Sequence, residues 1–305
     1  MKIIFMGTPD FAAMSLKRLY DEGRDIIAVF TQPDRARDRG LKISISPVKE
    51  LALSHGTPVF QPETLRNDNI YAEIKDLNAD IILVVAYGKL LPKEILDLPP
   101  FGCVNIHASL LPKYRGAAPI QWTIINGEKE TGVTAISMCE EMDAGNILLT
   151  KTTKVGDNET SGELFVRLGI LGAQLLSETL GAIEKGEISP IAQDPNDATY
   201  APMLKKADAV IDWNSPAKEI KCKVRGLNPN PGAKAELSGK QYKIHAVEVE
   251  AKREDRKPGD VTVVNGTRIE VACFDGTIVI NEIQAPGSNK MKVHDFLRGN
   301  SIFET

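Results

Sequence analysis

The sequence offers little to a metal ion or to covalent catalysis. Its four cysteines (Cys103, Cys139, Cys222, Cys273) stand far apart with no CxxC spacing, and its four histidines (His55, His107, His245, His294) show no ligand pairing. The common zinc patterns are therefore missing, and free thiols in a reducing compartment are expected in place of disulfides. Neither GxGxxG nor GxxxxGK[ST] is present, so dinucleotide binding and nucleotide hydrolysis lose their usual support. No serine lies in a GxSxG elbow. No apolar run approaches the roughly 20 residues needed to cross a bilayer. The opening MKIIFMGTPD is a short apolar run that meets a turn, so it reads as a first strand and not as a signal segment. A cytoplasmic protein with no membrane partner is the expectation.

What is present is a chain of 305 residues, 42% hydrophobic and 26% charged, long enough for two domains. In the first half, Val/Ile-rich runs (KIIFMG, DIIAVFT, TPVFQ, ADIILVVAYG, GCVNIHAS) alternate with amphipathic stretches (DFAAMSLKRLYDEG, SPVKELALSHG, DNIYAEIKDLN). That alternation predicts α/β architecture, with βαβ units and a mainly parallel sheet covered on both faces. TGVTAISM and ILLTKTTKV extend the sheet, and TSGELFVRLGILGAQLLSETLGAIEKG is a long closing helix. Residues 1–189 form this domain, and the Pro/Asp/Asn-rich stretch 190–206 reads as a linker. From 207 to 305, after a helical piece near SPAKEIKCKVRGL, short strands split by Gly turns suggest a small β-barrel. The net charge of −4 is unevenly spread: residues 205–305 hold 17 basic and 14 acidic side chains, against 20 and 27 before them. A basic end on an acidic body hints at an anionic partner.

The chemistry gathers around VNIHASLLPKYRG, residues 104–116. Asn105 and His107 lie two apart on a strand, so their side chains share a face at the carboxyl end of a sheet, where ligands bind. An amide and an imidazolium aimed at one point form an oxyanion-stabilising pair suited to acyl transfer. Asp143, in the turn of EEMDAGNIL, could orient and charge-stabilise the histidine. Glu140 and Glu141 read as solvated loop charges, and Cys103 as a packing residue. In GTPDF, Thr8 or Asp10 is expected to cap the first helix. Between the second strand and the next helix, QPDRARDRGLKISISPVK is long and carries Arg35, Arg37, Arg39 and Lys42.

NIHASLLPKYRGAAPIQW with MDAGNIL downstream resembles the formyltransferase family that takes its one-carbon unit from 10-formyltetrahydrofolate. The resemblance implies that Asn105, His107 and Asp143 are a catalytic trio and that Ser109, Leu110, Leu111 and Pro112 hold the folate. FMGTPDFA, VFTQPDR, SPVK, PVFQPETLR and VVAYGKLLP occur in order over nearly the whole chain, and they are similar to the branch of that family that formylates methionyl initiator tRNA. Implied with it are a Rossmann-like domain, a small OB-like β-barrel that helps hold the tRNA, and a basic insertion whose Arg39 and Lys42 contact the RNA. A monomer needing no metal is expected. The chain departs from the family pattern at Asn146, where an Asp is frequent, and at Asn230, where a Trp is frequent. The alternative is a sugar-nucleotide amine formyltransferase, which has the same trio and co-substrate but no use for the basic loop.

Overall fold

The computed structural model describes residues 1–37, 42–253 and 255–303. Arg39 lies outside the described residues, and of Lys42 only the backbone is described. The chain divides into two compact units, one of residues 1–117, 131–153 and 165–201, the other of residues 118–130, 154–164 and 202–305.

In the first unit the apolar runs form strands and the amphipathic stretches form helices. The elements are β1 (Lys2–Gly7), α1 (Asp10–Asp21), β2 (Asp25–Phe30), β3 (Arg35–Arg37), β4 (Lys42–Ser44), α2 (Pro47–Ser54) and β5 (Val59–Phe60). Next come α3 (Asp68–Asp76), β6 (Ile81–Val85), α4 (Lys93–Leu96) and β7 (Cys103–His107). After α5 (Pro119–Ile125), which falls in the second unit, follow β8 (Glu130–Ser137), β9 (Ile147–Lys154) and α6 (Ser161–Lys185). Seven strands make one sheet in the order β5-β2-β1-β6-β7-β8-β9. Strands β5, β2, β1, β6 and β7 run parallel, as expected, whereas β8 pairs antiparallel with β7. Ile3–Met6 and Ile81–Val85 are buried along their whole length, the mark of strands covered on both faces.

Strand order reverses direction at β1/β6, and such a switch leaves a crevice at the carboxyl ends of the strands. Register places Gly7 beside Val85 and Val84 beside Asn105, so the ends of β1, β6 and β7 lie side by side. The capping expected of Thr8 or Asp10 is not formed. Helix α1 starts behind Pro9, whose carbonyl accepts the N–H groups of Ala12 and Ala13. Thr8 Oγ1 instead donates to the Tyr87 carbonyl, 3.3 Å away, tying the end of β1 to the loop after β6.

Helix α6 is long and apolar enough to cross a membrane by length and composition alone, but half of that stretch is buried inside the protein. Leu164, Leu168, Leu175, Leu176 and Leu180 recur at helical spacing and are fully buried, as in a core helix. A reciprocal capping box starts it: Thr160 N–H donates to Glu163 Oε2 (2.8 Å), and Glu163 N–H to Thr160 Oγ1 (3.3 Å). The stretch that reads as a linker is stitched into the first unit. Ile191 exchanges backbone hydrogen bonds with Ile147, and Thr199 and Ala201 bond with Arg115.

In the second unit, α7 (Ala217–Gly226) precedes β10 (Ala233–Leu237), β11 (Lys240–Ala251), β12 (Val261–Val264), β13 (Arg268–Ala272), β14 (Gly276–Gln284), β15 (Met291–Lys292) and α8 (Val293–Leu297). The strands form a six-stranded antiparallel sheet, the small β-domain read from the Gly-split runs. Its core gathers Ile220 and Val224 of α7, Ile244, Ile269 and Ile280 of the sheet, and Phe296 of α8. One carboxylate lies within it. Glu270 is 1% exposed and receives hydrogen bonds from Arg253 (3.1 Å) and Arg256 (3.2 Å), with Arg268 paired to it at 3.1 Å. Glu270→Ala removes the buried acceptor and leaves three partly exposed arginines, so it should cost about 1–3 kcal/mol. Glu250→Ala, removing Arg268's more exposed partner, should cost under about 1 kcal/mol. Urea unfolding of the two variants checks this; equal losses would contradict the assignment.

Candidate active site

Strand β7 delivers Asn105 and His107 to the carboxyl edge of the parallel sheet. Two neighbours fix their height, Val84 on one side and antiparallel β8 on the other, where Asn105 pairs with Ile136 and His107 with Thr134. The Asn105 amide is half-buried and has no hydrogen-bond partner among the described residues. Its two N–H donors are thus available to an incoming oxygen. His107 is 6% exposed, and its Nε2 lies 2.8 Å from the Tyr114 carbonyl oxygen. A carbonyl can only accept, so Nε2 carries a proton, and Nδ1 is left as the nitrogen that faces the site. Asp143 Oδ1 lies 3.5 Å from that Nδ1. The trio read from the sequence is therefore one cluster, but the His107 ring is oriented by the Tyr114 backbone as well as by the carboxylate.

Asp143 is held firmly. Its Oδ2 accepts the Gly116 N–H at 2.8 Å, and its φ of 54° lies in the left-handed region, uncommon for a residue with a β-carbon. Tyr114 also has a positive φ, 61°, which turns its carbonyl back to the histidine. Gly116 has φ 121°, and a β-carbon there would meet the Ala201 carbonyl oxygen at 2.8 Å, so only glycine can bring its N–H to Asp143. Gly145 leaves no room for a side chain against Ser137. Of the neighbouring acids, Glu140 is exposed, and Glu141, although also exposed, reaches Arg115 at 3.3 Å.

The Ser109–Pro112 segment forms a tight loop directly after β7. The Ser109 hydroxyl donates to the Lys113 carbonyl at 2.6 Å, and its side chain is fully buried. Thr134, opposite His107, pins the loop from below: its hydroxyl donates to the Ser109 carbonyl at 2.7 Å and accepts the Leu111 N–H at 3.2 Å. Leu111 is buried, while Leu110 and Pro112 are partly exposed and supply the apolar surface a planar ring system could use. Ser109 and Leu111 are thus committed to shaping the loop. Cys103 packs in the apolar cluster with Leu91 and Ile95, and burial pushes its thiol up to about 12, so it takes no part in the chemistry. Among the described residues no group of three or more His, Cys, Asp or Glu side chains is placed to hold a metal ion.

The basic insertion after β2 is a short hairpin, β3 paired with β4, with Arg35 opposite Ser44 and Arg37 opposite Lys42. Its root is tied to the same sheet edge. Gln32 Nε2 donates to the Tyr87 carbonyl (2.9 Å), and Asp34 accepts from Lys49 and from Gln61 (2.8 Å). Those donors, Lys49 first, hold the Asp34 carboxyl below its ordinary range.

Comparison with known proteins identifies the family. Residues 1–180 match the formyl transferase family, and residues 203–301 match the formyl transferase C-terminal domain. The methionyl-tRNA formyltransferase of Caldanaerobacter subterraneus subsp. tengcongensis is 48% identical over 305 residues, covering 100% of this chain and 98% of that protein. That of Alkaliphilus oremlandii is 49% identical over 302 residues, covering 99% and 97%. Among solved structures, the N-formyltransferase of Helicobacter canadensis in complex with folinic acid and dTDP-3-aminofucose shares the fold at a TM-score of 0.68 and 17% identity, over 92% of this chain and 98% of that one. With two matched formyl transferase segments and near-half identity along its full length, the chain belongs to the methionyl-tRNA formyltransferase family.

Proposed function

We propose that the protein transfers the formyl group of 10-formyltetrahydrofolate to the free α-amino group of methionyl initiator tRNA, acting in the cytoplasm as a monomer. The observation that carries the reading is the Asn105–His107–Asp143 cluster at the sheet edge, in a chain nearly half identical to enzymes of that name.

The residues fit the folate. The loop directly after the strand that carries Asn105 and His107 bears the partly exposed Leu110 and Pro112, so free amide donors and an apolar surface for a flat ring system come from one continuous segment. When bound, 10-formyltetrahydrofolate supplies the formyl carbon, which passes from N10 to the attacking amine. The Asn105 amide and the His107 Nδ1 side stabilise the negative charge that develops on the formyl oxygen. The Tyr114 carbonyl, by holding Nε2, keeps the ring in place while this happens. Asp143 Oδ1, beside Nδ1, stabilises the charged ring and relays the proton that the amine gives up to N10 of the departing tetrahydrofolate. No residue here is placed as an activated nucleophile; the Ser109 hydroxyl is spent on Lys113.

For the tRNA, the reading assigns the basic hairpin to the acceptor end and the domain of residues 207–305 to the stem. Arg39 and Lys42 neutralise phosphates, so Arg39→Ala/Lys42→Ala should weaken methionyl-tRNA use and flatten its salt dependence by about two phosphate equivalents. KM for tRNA measured from low to high salt checks this, and an unchanged slope would contradict the hairpin's role. The alternative acceptor, a sugar-nucleotide amine, is tested by competition: methionyl-tRNA and an amino-sugar nucleotide offered together should leave the label on the tRNA.

A further inference from the structure

We propose that Gln193 is a positioning residue for this reaction, acting through Asp143; the proposal rests on the functional reading above. Gln193 lies in the Pro/Asn-rich stretch whose sequence reads as linker, yet its side chain reaches under the catalytic turn. Its Nε2 donates to two backbone carbonyls of that turn, Asp143 at 2.8 Å and Gly145 at 2.7 Å. Its Oε1 accepts from Arg115 Nε (3.1 Å) and Nη2 (2.9 Å), and Arg115 is 5% exposed.

The connections close into a ring. Arg115 holds Gln193, Gln193 holds the Asp143 and Gly145 carbonyls, and the Asp143 carboxylate accepts the N–H of Gly116, the residue after Arg115. The Arg115 backbone is fixed in turn by Thr199 and Ala201, on the segment that carries Gln193. This ring matters because Asp143 sits at φ 54°, a conformation that persists only when its surroundings impose it. Relaxation to negative φ would swing the carboxylate away from His107 Nδ1 and Gly116. A primary amide suits the position because it offers two donors and an acceptor at one end. Glutamate, of the same shape, would keep Arg115 but set a carboxylate oxygen against two carbonyl oxygens.

The test uses the full chain with Gln193→Glu, Gln193→Ala and Gln193→Met, the last keeping the packing if the charged variant folds poorly. The expected result is a kcat for methionyl-tRNA formylation lower by about 10- to 100-fold, as for a misplaced catalytic group. KM for both substrates should change by less than about threefold, since neither is touched. Adding Gln193→Ala to Asp143→Asn should lower kcat no further, because both act on one group. Independently of substrate, the ring 15N resonances of His107 should move in Gln193→Glu. Unchanged kcat, an equal further loss in the Asp143→Asn background, or unmoved His107 resonances would each overturn the proposal. A wild-type chain that fails to formylate methionyl-tRNA would instead overturn the functional reading, and the His107 resonances would still test the coupling.

Discussion

Replacing His107 with alanine is expected to lower the rate of formyl transfer by about 1000-fold, close to 4 kcal/mol of transition-state stabilisation. The ring is buried, one nitrogen is fixed by the Tyr114 carbonyl, and the other stands beside the carboxylate of Asp143. Such a donor is preorganised: it meets developing charge without rearrangement, and a water filling the space would not be held as tightly. The substitution leaves the Tyr114 carbonyl without its donor, which should cost about 1–3 kcal/mol of stability. Single-turnover rates at saturating substrates, alongside unfolding curves and tRNA affinity, separate the two effects. Unchanged tRNA affinity with the rate lost places His107 in the chemical step. A rate within about tenfold of wild type would remove it from the mechanism.

Asp143→Asn should lower the rate by about 100- to 1000-fold for a different reason. The amide can keep an oxygen on the Gly116 N–H, so the turn should survive, but the negative charge facing Nδ1 is gone. The site then loses both the stabiliser of the charged ring and the acceptor for the amine's proton. Asn146 provides the control. It is exposed and lies three residues further along the same turn. Asn146→Asp should stay within about twofold of wild type, since a solvated charge acts weakly. A rate loss in Asn146→Asp matching that in Asp143→Asn would mean that the carboxylate acts through the general field of the loop and not through contact with His107.

The βαβ order was legible because buried parallel strands must be continuous Val/Ile runs, and Gly, Pro, Asp or Asn bounds each one. The strand direction of β8 was not, since TGVTAIS reads alike in either sense; only its pairing with Val104–His107 decides it. The β3–β4 hairpin escaped notice because Arg35–Arg37 and Lys42–Ser44 are only three residues each, too short for alternation to mark a strand. At the site, side chains with distinctive chemistry were found, and the groups that hold them were not. The Tyr114 carbonyl and Gly116 N–H are backbone atoms with no residue-type signature, although the glycine in KYRG was a hint. Gln193 is 50 residues from Asp143 in a stretch whose prolines and Asn/Asp residues suggested a connector. The Ser109 hydroxyl closes its own turn on the Lys113 carbonyl, a contact four residues away that the residue type does not announce.

The central claim is tested most directly by following a labelled formyl group from 10-formyltetrahydrofolate in the presence of methionyl initiator tRNA, uncharged tRNA or no tRNA. The account predicts rapid labelling of the charged tRNA alone, blocked when the methionyl amine is acetylated beforehand and slowed about 1000-fold in His107→Ala. Consumption of the formyl-folate without labelled tRNA, or labelling that does not need the free amine, would contradict it.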